Sequence, residues 1–185
     1  MSAGELAERA ERYRPYFGIN GGVTLSGGEP LLQATFAEAF FDECHKRGLH
    51  TCLDTSGSVF NESVEALLDK TDRVLLDIKY PTDALYRQYV GCGMEIPLRF
   101  LSFLHEKKIP TTLRQVIIPT LNDTAESMVV LSELRAKYTC VDSIELLPFK
   151  KLCTVKYKKL GLDFRFEAYS EPTPEAMKKL EEQLT

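Results

Sequence analysis

The chain has 185 residues, of which 44% are hydrophobic, and this is enough for one domain with a buried core over residues 1–185. It carries 23 basic and 27 acidic residues, and the resulting net charge of −4 argues against nucleic acid as a partner. No apolar run approaches the roughly 18 residues of a membrane span, and the first residues do not resemble a signal peptide, so we expect a cytoplasmic protein that does not act in a membrane.

Helix and strand patterns alternate along the whole chain. A capping-box pattern at Ser2 opens a first helix, which is expected to end at Pro15. The longest early helix is expected to bury a stripe formed by Phe36, Phe40 and Cys44. Strands are predicted at residues 22–26, 49–53, 74–78, 112–118 and 144–147, helices after the first at residues 33–47, 63–70, 84–89, 96–104, 128–134 and 174–184, and a loop with one short helix at residues 150–170.

Five strands separated by helices require a parallel sheet with right-handed crossovers, which is either open and doubly wound or curled into a barrel. Polar side chains lie at or just after the carboxyl ends of successive strands. They are Glu29, Asp54, Thr55, Asp77, Lys79, Arg114 and Lys150. In a (β/α) barrel these ends converge on one mouth, whereas a doubly wound sheet spreads them along a crevice. We therefore predict an α/β fold that forms a partial, TIM-like (β/α) barrel.

A binding loop is predicted where the first strand ends at Ser26. Gly27 and Gly28 remove both Cβ atoms and permit positive φ, so main-chain carbonyls can approach a ligand closely. Glu29 adds a negative charge beside them. Carbonyls and a carboxylate are acceptors, which suits a cationic group such as the ammonium of an amino acid. A plain turn between strand and helix is the alternative interpretation.

The charged residues of the later strands each allow a structural and a functional interpretation. Asp77 and Lys79 share one face of a strand, and they either pair with each other or serve a ligand. Asp54 and Thr55 precede a glycine turn and suit a ribose diol, a bound cation or an Asx turn. Arg114 lies in an apolar strand, and because arginine is almost never buried unpaired, we expect it to meet a carboxylate of the protein or of a ligand.

The five cysteines are scattered along the chain, which fits a reducing compartment better than a disulfide framework. Local metal sites place their ligands about two to four residues apart, and no two cysteines here come that close. The sequence therefore predicts neither a zinc finger nor a local iron–sulfur motif. Cys92 and Cys153 lie in polar loops and are the more reactive candidates.

Four short motifs occur in order along the chain. They are Ser26-Gly27-Gly28-Glu29-Pro30, Asp54-Thr55-Ser56-Gly57, Leu76-Asp77-Ile78-Lys79 and Leu146-Leu147-Pro148-Phe149. In this order and spacing they closely resemble the radical S-adenosylmethionine activating enzymes of the pyruvate formate-lyase type. The resemblance implies a six-stranded partial barrel, of which five strands are present here. It also implies that S-adenosylmethionine is cleaved reductively to a 5′-deoxyadenosyl radical, which abstracts hydrogen from a backbone glycine of a partner enzyme.

The resemblance assigns cofactor-binding residues by position. They are Ser26, Gly27, Gly28, Glu29, Asp54, Thr55, Asp77, Lys79, Arg114, Phe149 and Lys150. Gly27, Gly28 and Glu29 would take the methionyl ammonium. Asp54, Thr55 and Asp77 would face the carboxylate and ribose region. Lys79 and Arg114 would balance the ligand carboxylate and neighbouring acids. Some members of the family hold a monovalent cation at the positions of Asp54, Thr55 and Asp77. The turn at 148–150 would approach the adenosine, and several members of the family carry histidine at the position of Lys150.

One part of the family pattern has no counterpart in these residues. The family's C-x-x-x-C-x-x-C loop, whose thiolates hold a [4Fe-4S] cluster, is absent. We therefore expect S-adenosylmethionine to bind weakly, the cluster to belong to a longer parent protein, and the isolated chain to be inactive. The partners of the parent would be a glycyl radical enzyme, most plausibly pyruvate formate-lyase, and a reductant of the flavodoxin or ferredoxin type.

Two other classes of function remain open. One is a class I aldolase-like barrel, in which Lys79 forms a Schiff base and Asp77 or Asp54 moves the proton. The other is a non-catalytic binding or regulatory module that retains the S-adenosylmethionine pocket or the surface for the partner. Trapping of a carbonyl substrate with borohydride would identify the first, and ligand binding without any cluster would favour the second.

Overall fold

The computed structural model describes residues 1–18 and 21–184, in which five parallel strands form one sheet with helices between them. The strands are β1 (Gly22–Leu25), β2 (His50–Thr55), β3 (Arg73–Asp77), β4 (Thr111–Ile117) and β5 (Val141–Pro148). The helices are α1 (Ala3–Glu11), α2 (Arg14–Phe17), α3 (Ala34–Lys46), α4 (Glu62–Leu68), α5 (Asp83–Tyr89), α6 (Glu95–Lys107), α7 (Ala125–Lys137), α8 (Thr154–Lys159) and α9 (Pro174–Glu181). None of the helices in the described ranges is long and apolar enough to cross a membrane.

The strands follow one another across the sheet in the order β1-β2-β3-β4-β5. Each pairs in parallel with the next, so that Leu53 lies beside Val74 and Leu76 beside Leu113. Because every right-handed crossover steps in the same direction, the connecting helices lie on the same face of the sheet. A doubly wound sheet would instead reverse direction at a switch point. The order confirms the predicted parallel α/β fold and favours its barrel form.

The two faces of the sheet differ in polarity. On the helix side, Val74, Leu76 and Leu113 are fully buried. They belong to a core cluster whose members extend from Ala7 to Leu180. Successive residues of a strand point to opposite faces. The alternate positions therefore bring polar side chains to the other face, among them Asp54, Arg73, Asp77 and Arg114.

Helix α3 buries a different set of side chains from the predicted stripe. Phe40 and Cys44 are buried, as predicted, but Phe36 is 39% exposed. Ala37 and Phe41 take the buried positions instead. The predicted spacing of four and eight residues drifts around the helix, since positions eight apart differ by about 80° at 3.6 residues per turn. Phe36 consequently lies at the margin of the buried face.

Several elements end at different residues from those predicted. Pro15 does not end the first helix, because α1 already ends at Glu11 and Pro15 lies in the first turn of α2, where a missing N–H is tolerated. Strand β2 extends to Thr55 and β5 begins at Val141, so both are longer than predicted. The segment at 150–170 contains one short helix, α8, as predicted, preceded by a 3-10 turn at Lys151–Cys153.

Candidate functional site

The loop after β1 has the backbone that its two glycines allow. Gly27 and Gly28 have φ values of 91° and 54°, in the left-handed region that other residues rarely adopt. A Cβ atom built on either glycine would meet nothing within 4 Å, so conformation rather than crowding requires glycine here. Both residues are exposed. The main chain of this loop is therefore accessible to a ligand.

The carboxylate of Glu29 is directed inward from this loop. Its Oε1 accepts hydrogen bonds from Thr55 Oγ1 at 2.6 Å and from the Leu31 amide at 3.2 Å. Its Oε2 accepts one from the Ser56 amide at 3.0 Å and another from the Ser56 hydroxyl. The sequence suggested that this carboxylate would meet an ammonium group. In the structure it ties the glycine loop to the end of β2, and its contact with an ammonium group stays a prediction.

Arg114 joins two carboxylates from neighbouring strands. Its Nη2 donates a hydrogen bond to Asp54 Oδ1. Asp77 Oδ1 accepts two more, from Nε at 3.2 Å and from Nη2 at 3.0 Å. Burial lowers the pKa of Arg114, but the charges and hydrogen bonds of Asp77 and Asp54 outweigh that effect and raise it overall. The expectation that Arg114 meets a carboxylate is confirmed. The bridge holds β2, β3 and β4 in a fixed relation at this edge.

Lys79 pairs with the second oxygen of Asp77, with Nζ and Oδ2 3.1 Å apart. The pair predicted as the structural interpretation of these residues is thus formed. Both side chains remain partly exposed and border a cavity, so they are also accessible to a ligand. Asp77 therefore receives positive charge from two sides, from Lys79 and from Arg114.

Three buried polar side chains, which sequence reasoning missed, hold the main chain around Lys79. The Lys79 amide donates to the Tyr86 hydroxyl at 2.9 Å, and its carbonyl accepts from Asn122 Nδ2 at 3.0 Å. The preceding carbonyl, of Ile78, accepts from Gln115 Nε2 at 2.9 Å. The sequence does contain a signal for one of them, because a glutamine at a core-facing position of an apolar strand must find a partner.

A cavity of about 400 Å³ opens beside Asp77 and Lys79. Its remaining wall is largely aromatic and aliphatic, with Tyr80, Tyr89, Val116, Ile118, Phe149 and Phe166 among its members. Burial raises the pKa of Tyr80 to about 12, so its phenol stays protonated at neutral pH. Of the predicted adenosine-side residues, Phe149 lines this cavity. Lys150 is not part of its lining and pairs with Glu171 at 2.8 Å.

The residues suggested for a monovalent cation are only partly brought together. Asp54 and Asp77 flank the guanidinium of Arg114, which supplies the positive charge between them. The hydroxyl of Thr55 is turned towards Glu29. A cation at this position remains a prediction, and it would have to compete with Arg114 for both carboxylates.

The cysteines of this chain do not fit a four-iron cluster in the described part of the structure. All five are free thiols, and Cys44 and Cys140 are buried. Across residues 1–18 and 21–184, no three Cys, His, Asp or Glu side chains converge as a metal-binding group. The residues described above can bind a ligand through charge, hydrogen bonds and aromatic contact.

Comparison with known proteins identifies the family of this chain. The family model described as the Radical SAM superfamily matches residues 1–131. The chain is 35% identical to the pyruvate formate-lyase-activating enzyme of Staphylococcus epidermidis, over 97% of this chain and 74% of that protein. It is 37% identical to the enzyme of the same name from Clostridium pasteurianum, over 100% of this chain and 77% of the relative.

The fold has a solved counterpart as well. The crystal structure of a domain of a pyruvate-formate lyase-activating enzyme from Bacteroides vulgatus superposes with a TM-score of 0.72 at 22% identity, covering 89% of this chain and 93% of the other. That likeness supports the partial barrel alone, whereas the sequence relatives extend over nearly the whole chain. The chain belongs to the radical SAM superfamily and, within it, to the family of the pyruvate formate-lyase-activating enzymes.

Proposed function

We propose that this chain binds S-adenosylmethionine as part of an enzyme that activates a glycyl radical enzyme, with pyruvate formate-lyase as the partner. The observation that carries the proposal is the position of the Arg114 bridge beside the aromatic cavity. S-adenosylmethionine has a zwitterionic amino acid at one end and an adenine at the other. A charged edge next to an apolar cavity of about 400 Å³ suits such a ligand.

In this proposal, different residues contact different parts of S-adenosylmethionine. The main-chain carbonyls of Gly27 and Gly28 accept from the ammonium, since the carboxylate of Glu29 is already engaged. Lys79 and Arg114 attract the ligand carboxylate. The ribose lies towards Asp54, and the adenine packs among the aromatic rings of the cavity, including Phe149.

The proposal gives this chain a binding and positioning role. We infer that an iron–sulfur cluster held elsewhere in a longer parent protein would supply the electron that cleaves the cofactor, with a flavodoxin or ferredoxin as its reductant. The described cysteines do not fit that cluster, so no redox step is assigned to residues of this chain. A cytoplasmic site of action is part of the proposal, because five free thiols suit a reducing compartment.

Calorimetric titration of the chain with S-adenosylmethionine tests the proposal. Without chelation by iron, we expect a dissociation constant nearer the millimolar than the micromolar end, a loss of about 4 kcal/mol. Asp77→Ala should abolish this binding, because both cationic side chains lose the carboxylate that positions them. Asp163→Ala, at an exposed position, should bind as the unaltered chain does. Equal binding by the two variants would contradict the proposal, provided that both melt at similar temperatures.

A Schiff-base aldolase is the second candidate, because Lys79 borders an apolar cavity with Asp77 beside it. Its Nζ donates to Asp77, however, and does not stand alone in an apolar setting of the kind that activates such lysines. Treatment with pyruvate and borohydride, followed by mass spectrometry of the peptide that contains Lys79, distinguishes the two functions. We expect no adduct, and a stoichiometric adduct on Lys79 would favour the aldolase.

A further inference from the structure

An exposed apolar surface lies around α8, next to the wall of the cavity. Its four aliphatic side chains are between 57% and 86% exposed, far more than core residues of the same types. They are Leu152, Val155, Leu160 and Leu162. Single exposed hydrophobic residues are common on proteins, but four within eleven positions form a contiguous stretch of chain that calls for an explanation.

The same segment is strongly basic in an acidic protein. Residues 150–162 contain five lysines and no acidic residue, whereas the chain as a whole has a net charge of −4. Lys150 pairs with Glu171. Lys156, Lys158 and Lys159 have no ion-pair partner among the residues that the structure describes. We call these three lysines and the four aliphatic side chains the α8 patch.

Stabilisation of a helix end does not account for the α8 patch. Lysines in a last turn do interact favourably with the helix dipole, and α9 also carries an adjacent pair in its last turn, Lys178 and Lys179. The apolar residues around that pair, Met177 and Leu180, are buried against the core. Around α8, by contrast, apolar residues next to the lysines are exposed, among them Val155 within the helix and Leu160 just after it. The α8 patch therefore differs from the end of α9 in combining unpaired lysines with exposed apolar side chains.

The backbone that carries the patch is held in one conformation. Gly161, with φ of 64°, ends α8, and its amide donates to the Lys158 carbonyl at 3.2 Å. The Leu162 amide donates to the Tyr157 carbonyl at 3.0 Å, which completes a Schellman motif. A surface fixed in this way loses little conformational entropy when a partner binds.

Aromatic contacts connect the patch to the cavity. The rings of Tyr157 and Phe164 lie 5.1 Å apart between centroids, and Phe164 stacks on Phe149 at 6.2 Å. Phe149 lines the cavity beside Asp77. Anything that covers the α8 patch therefore lies at the rim of the proposed cofactor site.

We propose that the α8 patch docks an acidic surface of the partner protein, with aliphatic contacts at its centre and lysines around them. This inference rests on the proposed function, which requires a macromolecular partner to reach the cavity from outside. Apolar contact surrounded by complementary charge is the usual composition of a protein interface, and the charges raise the association rate in low salt. An anionic membrane surface would suit the same charges, but it would not bring a reacting polypeptide to the cavity.

The test compares two adjacent pairs of lysines, each in the last turn of its helix. Lys158→Glu with Lys159→Glu changes the patch, and Lys178→Glu with Lys179→Glu makes the same change in the last turn of α9. Binding to immobilised pyruvate formate-lyase is measured by surface plasmon resonance at low and at high salt. We expect about tenfold weaker binding for the α8 pair, mainly in the association rate and mainly at low salt, and little change for the α9 pair.

A second variant tests the apolar part. Leu152→Ser with Leu160→Ser should weaken binding at both salt concentrations, since exposed leucines contribute area rather than charge. All variants should keep the melting temperature and the S-adenosylmethionine affinity of the unaltered chain.

Three outcomes overturn the proposal, and they can be told apart. If the unaltered chain binds the lyase and all variants bind equally well, the α8 patch is not the docking surface, and the proposed function is unaffected. If the unaltered chain does not bind the lyase at all, the proposed partner fails together with the docking surface. If the α8 variants lose binding only to phosphatidylglycerol vesicles, the patch serves a membrane surface.

Discussion

The side-chain amide of Asn122 donates a hydrogen bond to the main-chain carbonyl of Lys79, across 3.0 Å and between two loops at the carboxyl edge of the sheet. The same amide donates to the Val116 carbonyl at 2.9 Å, and its oxygen accepts from the Ile118 amide at 2.7 Å. Asn122 is completely buried. One side chain thus fixes the loop after β4 to the residue that pairs with Asp77.

Asn122→Ala should therefore be one of the more destabilising single substitutions in the chain. It leaves two carbonyls and one amide without partners in a buried place, and we expect the free energy of unfolding to fall by about 3 kcal/mol. Asn61→Ala, which removes only the cap of α4, should cost about 1 kcal/mol. Urea unfolding measures both. A cost for Asn122→Ala no larger than that of the cap would show that the loops are held by other contacts.

Arg114→Met should destabilise the fold, because Arg114 relieves the repulsion between two carboxylates. Asp54 and Asp77 would face each other across neighbouring strands without the cation between them, so we expect a loss of about 3 kcal/mol in unfolding free energy. Arg114→Lys should recover only part of this, because an ammonium is a point charge and cannot reproduce the planar fork. Arg12→Met, which breaks an exposed pair with Glu8, should change stability by less than about 0.5 kcal/mol. Equal effects at Arg114 and Arg12 would contradict the structural importance of the bridge.

Stability should depend on pH through Asp72 at the opposite end of the sheet. Burial raises the pKa of Asp72, but hydrogen bonds from the Thr51 amide and from His45 outweigh burial and lower it below the usual 3.8. A carboxyl whose pKa is lower in the folded state stabilises the fold above its unfolded pKa, and this contribution disappears as pH falls through the folded value.

Asp72→Asn should therefore make the melting temperature depend less on pH in the acid range. Between pH 5 and pH 2.5, the melting temperature of the unaltered chain should fall more than that of the variant. Asp163→Asn, at an exposed position, should leave the curve of the unaltered chain unchanged. Parallel curves for the unaltered chain and Asp72→Asn would exclude Asp72 as the source of the acid dependence.

The five thiols should differ in reactivity according to their burial. Burial raises the pKa of Cys44 to about 11, and it also raises the pKa of Cys140. Since the thiolate is the reactive form, iodoacetamide at pH 8 should label the partly exposed Cys92 and Cys153 first. Peptide mass spectrometry after timed labelling gives the order. Early labelling of Cys44 in a fully folded sample would contradict the burial of α3 against the core.

The residues that sequence reasoning located correctly are those whose positions follow from strand periodicity. Asp77 and Arg114 could be placed at the carboxyl edge because each interrupts an apolar strand, and an arginine in such a strand needs a carboxylate. The parallel sheet followed from the regular alternation of strands and helices. The motifs around Gly27 and Asp77 added the family, which comparison then showed.

What could not be predicted depends on contacts between residues far apart in sequence. The hydrogen bond from Thr55, at the end of β2, to Glu29 joins residues 26 positions apart, and nothing in the sequence around either residue indicates it. Asn122 lies in a polar run that looks like an ordinary loop, and nothing local indicates that it reaches Lys79. The cavity wall has the same origin, because Phe166 comes from a segment without clear periodicity. Periodicity specifies which face a residue occupies but not which partner it meets there.

The strictly sequential order of the sheet has a consequence for how such proteins vary. Each strand has as its spatial neighbours the strands that precede and follow it along the chain. A strand–helix unit added or lost at either edge would therefore leave every other strand pairing unchanged, and a long insertion between two units would only lengthen one crossover. The Arg114 bridge is built entirely on the three interior strands. Proteins of this architecture can consequently differ widely in length at their margins while keeping the same charged centre.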